Sequence, residues 1–133
     1  MRIAITGSRL YEDKRKVKEL IFQLKQKFGT DLEIASGGTK DGIDRYAKKY
    51  SLDLGLQYLE YNPQYTQHNL YSRFSEQAYN KPYHVSQIHK RNDFMVKESD
   101  MLICFIYENE SLNGIQGTIK AAKRYGKKYV IIT

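Results

Sequence analysis

Three turns bring glycine together with hydroxyl or cationic side chains: Gly7-Ser8-Arg9, Ser36-Gly37-Gly38-Thr39-Lys40-Asp41-Gly42-Ile43-Asp44, and Gly114-Ile115-Gln116-Gly117-Thr118. Glycine lets a ligand approach the main chain closely. Serine and threonine donate hydroxyls, and the arginine fork grips an oxyanion. Where such a turn opens a helix, free N–H groups and the positive dipole end form an anion cradle. The chemistry on offer is recognition of a phosphate.

The longest turn is the most informative. Ile34 and Ala35 lead into Ser36, and after Gly42 the residues Ile43, Tyr46, Ala47 and Tyr50 repeat at helical spacing. The pattern predicts a strand, a tight turn and a helix start. Ser36, Gly37, Gly38, Thr39 and Gly42 would supply main-chain and hydroxyl donors. The run is neither a Walker loop nor G-x-G-x-x-G, and glycines of this kind also serve plain strand-to-helix turns. Asp44, in the first helical turn, either accepts from ribose hydroxyls or stabilises the helix dipole. Gly7, Ser8 and Arg9 follow the first strand, and Gly117 and Thr118 open the last helix as a second cradle. Arg91-Asn92 lies in a polar run on a helix whose inward residues are Ile88, Met95 and Val96. Turning those three inwards can tip Arg91 or Asn92 towards the ligand edge.

Other chemistries find less support. His68, His84 and His89 lack metal-like spacing, and there is one cysteine, so no metal site is expected. No serine–histidine arrangement suggests a nucleophile, so no catalytic residue is assigned, and no cofactor is expected. Glu98 and Asp100 read as capping and solvation groups.

The elements that must position these turns alternate. Strands are predicted at Arg2–Thr6, Leu32–Ser36, Leu56–Glu60, Met101–Tyr107 and Tyr129–Ile132. Helices are predicted at Asp13–Phe28, Gly42–Leu52, Ser86–Glu98 (Ser86 as N-cap) and Thr118–Tyr125. Val17, Leu20, Ile21, Leu24 and Phe28 mark the first helix, and Gly29 stops it. Alternation predicts an α/β fold, a Rossmann-like three-layer sandwich on a mostly parallel five-stranded sheet. Right-handed crossovers favour the order 3-2-1-4-5. Its switch point lies between the first and fourth strands, and ligands bind there at the carboxyl ends of the strands. The three turns then converge on one rim.

At 133 residues the chain reads as one domain. It carries an irregular insertion at about 61–85, rich in Tyr, Gln, Asn and Ser, in which Leu70–Tyr79 could form a helix. Such a segment suits a lid or an oligomer contact. The net charge of +7 favours anionic partners, although the lysines are spread over helices that read as solvated faces. Cys104 alone excludes an internal disulfide and fits a reducing, cytoplasmic setting. Strand-like sequence begins at Arg2, so no leader is expected, and no apolar run approaches the roughly 20 residues that span a bilayer.

Taken in order, Gly7-Ser8-Arg9, the Ser36–Asp44 turn, Arg91-Asn92 with Met95 before Ser99-Asp100, and Gly117-Thr118 resemble the SLOG superfamily. These are Rossmann-like domains of the LOG and DNA-processing protein A type, and the likeness is greatest to the small YspA/YpsA-related branch. It spans most of the chain except Tyr61–Val85. The resemblance implies a nucleotide or nucleotide-derived ligand. LOG enzymes hydrolyse the N-glycosidic bond of nucleoside monophosphates and carry a signature like Pro-Gly-Gly-x-Gly-Thr-x-x-Glu. Here Gly117-Thr118 match it, but Ile115 and Gln116 precede them and Ala121 stands at the glutamate position. Other relatives sense NAD-derived signals in prokaryotic immunity, usually as homo-oligomers, and DNA-processing relatives bind single strands. The expectation is therefore a protein that senses or sequesters a nucleotide or an NAD- or ADP-ribose-derived molecule, in phage-defence or counter-defence signalling. The alternatives are a LOG-like N-glycosidase or phosphohydrolase, and a single-strand nucleic-acid binder.

Overall fold

In the computed structural model, which describes residues 1–133, alternating strand and helix build one parallel sheet. Strands β1 (Arg2–Gly7), β2 (Glu33–Ser36), β3 (Gln57–Glu60), β4 (Met101–Phe105) and β5 (Lys128–Ile132) lie in the order β3-β2-β1-β4-β5. Helices α1 (Lys14–Phe28), α2 (Ile43–Asp53), α3 (Val85–Glu98) and α4 (Gln116–Arg124) cover it. The expected Rossmann-like order is the observed one.

The period of two along each strand divides the core. Ile3, Ile5, Ile34, Ile103 and Phe105 point to one face, against Val17 and Ile21 of α1 and Ile43 and Ala47 of α2. Ala4, Ala35, Leu102 and Cys104 point to the other, against Met95 and Val96 of α3 and Ala121 and Ala122 of α4. Each fully buried Ile, Leu or Val contributes about 1.5–3 kcal/mol. On the second face the only apolar side chains that β1 and β2 bury are Ala4 and Ala35, and Tyr61 packs there with no exposed surface.

Element ends follow local chemistry. Asp13 caps α1, its carboxylate accepting from Lys16 N at 3.3 Å. Helix α3 begins at Val85, two residues earlier than a Ser86 cap implies, because His84 is the cap: its Nδ1 accepts from Ser86 N at 3.0 Å. Helix α4 also begins earlier, at Gln116, so Gly117 lies inside the first helical turn and not in a loop.

The segment between β3 and α3 holds no α-helix, and Leu70–Tyr79 is not helical apart from a short 3-10 turn at Glu76–Ala78. It is tied down instead by Glu60 and Asn62. Glu60 N donates to Tyr71 O and Arg73 N to Glu60 O, both at 2.9 Å, which lays this segment along the edge of β3. The buried Asn62 amide donates to Thr66 Oγ1 and Gln67 O, while its oxygen accepts from Ser72 and Tyr79 hydroxyls. Side-chain bonding replaces the helical period, which is why no periodicity marks this stretch.

Gly42 fixes how the outgoing loop of β1 seats on α2. It has φ 65°, and a Cβ there would stand 2.6 Å from Arg9 Cα. Gly42→Ala is expected to lower stability by about 2–4 kcal/mol through strain and overpacking together. Gly55→Ala, at φ 71° but in open space, should cost only about 1 kcal/mol. Urea unfolding midpoints of the two variants would check the difference.

Candidate functional site

The carboxyl ends of β1, β2 and β3 deliver the predicted residues unequally. Gly7 lies opposite Phe105 in the sheet, where a side chain would strike the Phe105 carbonyl, which accepts from Ser8 N at 3.0 Å. Ser8 turns the chain. Its hydroxyl accepts from Leu10 N, and its carbonyl accepts from Ile43 N at 3.3 Å. These contacts leave Arg9 exposed over the opening of α2.

Past β2, the chain runs against two charged groups. Gly37 lies beside both the Arg91 guanidinium and the Asp44 carboxylate, and a Cβ on it would lie 2.8 Å from Arg91 Cζ and 3.1 Å from Asp44 Oδ2. Arg91 Nη1 donates to Gly37 O and more weakly to Tyr61 O at 3.4 Å. Its Nε is buried without a partner. Burial pulls the Arg91 guanidinium below its ordinary range; Asp44 opposes that shift and Arg9 adds to it. Burial pushes the Asp44 carboxyl up, against the pull of Arg91 and of the Thr39 N–H, which donates to Oδ2 at 3.0 Å. Gly38, at φ 76°, passes so close to Glu60 that a Cβ would meet its Cδ at 2.7 Å.

A second layer stands behind this turn. Ser36 is fully buried, and its hydroxyl meets Tyr58 Oη at 2.6 Å. Tyr58 donates to Glu60 Oε1 at 3.0 Å, and Lys48 pairs with the same oxygen at 3.2 Å. Asn69 Nδ2 donates to Glu60 Oε2. Burial, then Glu60, holds the Tyr58 hydroxyl well above the ordinary phenol range. Lys48 also lies over the Tyr58 and Tyr71 rings. Glu60, Asn62 and Lys48 were not among the predicted residues. A glutamate at the end of a short buried strand was the one available signal.

Lys48, Glu60, Asn62 and Asn69 help to wall a cleft of about 1000 Å³ between the α2 opening and residues 60–69. Arg9, Gly38, Thr39, Asp44 and Arg91 line it. Its cations are Arg9, Lys40, Arg45, Lys48, Lys49 and Arg91, against the carboxylates Asp41, Asp44 and Glu60. The N–H groups of Gly38, Lys40, Asp41, Asp44 and Arg45 donate to no protein atom. Unpaired amides at a helix start, within a positive rim, can receive an anion.

The remaining predicted residues lie elsewhere. Asn92 and Gly117 line a second cavity of about 630 Å³ between α3 and α4. Arg91 is the residue common to both cavities. Thr118 faces neither, because its hydroxyl is buried and donates to Ile115 O at 2.8 Å. Ser36 is likewise occupied by Tyr58. The single cup expected from the sequence is thus two cavities that meet at Arg91. No group of three or more His, Cys, Asp or Glu side chains is placed to hold a metal ion.

Asp44 gives a pH dependence with a definite sign. Its folded pKa is raised, so between the ordinary carboxylate value and that raised value the folded state keeps a proton that the unfolded state has released. Stability therefore falls as pH rises through this window. Asp44→Asn keeps an acceptor for Thr39 and lacks the titration. Urea midpoints measured from about pH 4 upward should show the wild type losing stability relative to Asp44→Asn. Parallel curves would contradict the burial of this carboxyl.

Among known proteins, a family model, YAcAr (the YspA, cpYpsA-related SLOG family), matches residues 1–68. No protein of curated function matches the sequence. Among solved structures, DNA processing protein A from Helicobacter pylori, described for its single-stranded DNA binding mode, superposes with a TM-score of 0.69 at 19% identity, over 98% of this chain and 64% of that one. The Moco carrier protein from Chlamydomonas reinhardtii gives 0.67 at 16% identity, over 98% and 75%. The molybdenum cofactor binding protein from Rippkaea orientalis gives 0.67 at 19%, over 98% and 74%. At these identities the likeness is one of fold. The chain spans under two thirds of the length of the DNA-processing protein.

Proposed function

We propose that this chain, which belongs to the YspA, cpYpsA-related SLOG family, binds a phosphate-bearing nucleotide or a nucleotide-derived molecule such as ADP-ribose in the larger cleft. The observation that carries the reading is the α2 opening: unpaired main-chain N–H groups inside a rim of five cations, with a sixth, the buried Arg91, at its wall. Phosphate is the group that suits both features. Asp44 borders the same space and can accept from a sugar hydroxyl. The only aliphatic linings are Leu52 and Pro63, so the cleft favours a sugar phosphate over an apolar molecule.

Binding is favoured over turnover. Ala121, at the position where LOG enzymes carry glutamate, is buried in the core and offers no carboxylate. The reading is therefore of sensing or sequestering, in defence or counter-defence signalling, by a chain that assembles as a homo-oligomer.

Calorimetry with AMP, ADP-ribose, NAD and a thymidine oligonucleotide tests this. The phosphate-bearing small molecules should bind and be recovered intact. Arg9→Ala should weaken them about tenfold without moving the thermal midpoint, because Arg9 is exposed. Unchanged affinity in Arg9→Ala would reject the cleft. Binding of the oligonucleotide alone, with affinity falling steeply as salt rises, would replace the small-molecule reading with a nucleic-acid one. Release of free base would replace it with a glycosidase.

A further inference from the structure

The smaller cavity differs in chemistry from the cleft beside it. Phe74 and Phe94 line it, stacked with their centroids 5.5 Å apart and their planes at 25°. Phe94 is a third exposed. Gln87 and Arg91, one turn apart on α3, line it too. Each brings an unused polar atom: Gln87 Oε1 and Arg91 Nε are buried and have no hydrogen-bond partner. Arg91 as a whole is 7% exposed. Gln87 holds its orientation by donating from Nε2 to Pro82 O at 3.1 Å. An orphan acceptor and an orphan donor on one helix face, beside two phenyl rings, are unfavourable in an empty protein. They are complementary to a flat ring bearing a donor next to an acceptor.

We propose that this cavity is the subsite for the nitrogen-containing aromatic ring of the ligand whose phosphate occupies the larger cleft. The proposal rests on that reading of the cleft. The edge of a nucleobase carries the required donor–acceptor pair, and its faces suit stacking on phenylalanine. Arg91 borders both compartments: its Nη1 is committed to Gly37, and its buried Nε is left without a partner. The insertion runs past the same divide: Gln64 lines the smaller cavity and Tyr65 the larger. A ligand with a ring at one end and a phosphate at the other would cross over Arg91, and the cavities of about 1000 and 630 Å³ are together ample for a nucleotide.

Gly117 provides the test. It lies in the first turn of α4, lines the smaller cavity, and a Cβ there would meet nothing within 4 Å. Gly117→Leu should therefore fold, with a thermal midpoint at or above that of the wild type, while its side chain fills the ring subsite. Gln87→Leu keeps the side-chain bulk and removes the acceptor. Calorimetry would compare AMP with ribose 5-phosphate on the wild type and both variants.

The wild type should hold AMP at least about tenfold more tightly than ribose 5-phosphate. Both variants should lose that preference while keeping their affinity for ribose 5-phosphate. Equal affinity for the two ligands on the wild type, or a preference for AMP that survives both substitutions, would overturn the ring subsite and leave the phosphate cleft standing. Failure of the wild type to bind either ligand would overturn the cleft and the subsite together.

Discussion

The arrangement depends on one buried cation. Arg91 reaches from α3 to the Gly37 carbonyl just beyond β2, and Asp44 of α2 closes on the same glycine. A guanidinium this deep is tolerated only where charge and hydrogen bonds compensate for lost water. The Asp44 carboxylate, the Gly37 and Tyr61 carbonyls and the nearby Glu60 supply that compensation. Three elements are thereby fixed relative to one another: the exit of β2, the opening of α2 and the middle of α3. The larger cleft takes its wall from the first two, and the smaller cavity takes its floor from the third.

The glycines act on this constraint in different ways. Gly37 is small so that Arg91 and Asp44 can close on the main chain, and Gly38 is small so that Glu60 can approach. Gly42 lets the Ser8–Arg9 loop lie directly on the helix start. Gly117 serves no such contact and has open space around it. Glycine spacing alone did not separate these cases, because a packing glycine and a space-lining glycine look alike in a sequence. Behind the turn, the Ser36, Tyr58, Glu60 and Lys48 network occupies hydroxyls that would otherwise be available to a ligand. That leaves recognition to main-chain amides and to cations.

Much of the fold was legible because it rests on period and alternation. The five strands, their order and the four helices follow from apolar runs, from Val17-Ile21-Leu24-type spacing and from glycine stops. What could not be read depends on contacts between residues distant in sequence. Arg91 looked like one charge in a wet helical face, yet it sits on the inward stripe with Met95. The carbonyls that receive it, at Gly37 and Tyr61, lie 54 and 30 residues away. Asn62 organises its whole segment through side-chain bonds that leave no repeat. Ser36 and Thr118 looked like ligand donors because nothing in their neighbours announced Tyr58 or Ile115 as internal partners.

The position of β1 at the middle of the sheet bears on how the molecule is made. That strand is the first of the five in chain order, yet one flank stays open until β4 exists, and Arg2 N donates to Asp100 across 98 residues. Assembly is dominated by non-local pairings, a topology that folds slowly because distant segments must meet before contacts reward them. Arg91 and the Tyr61 carbonyl likewise arrive long after the glycine turn that they brace. A partly translated chain therefore holds its glycine turn before the cation that shapes it exists, and the pocket is complete only once α3 has been made.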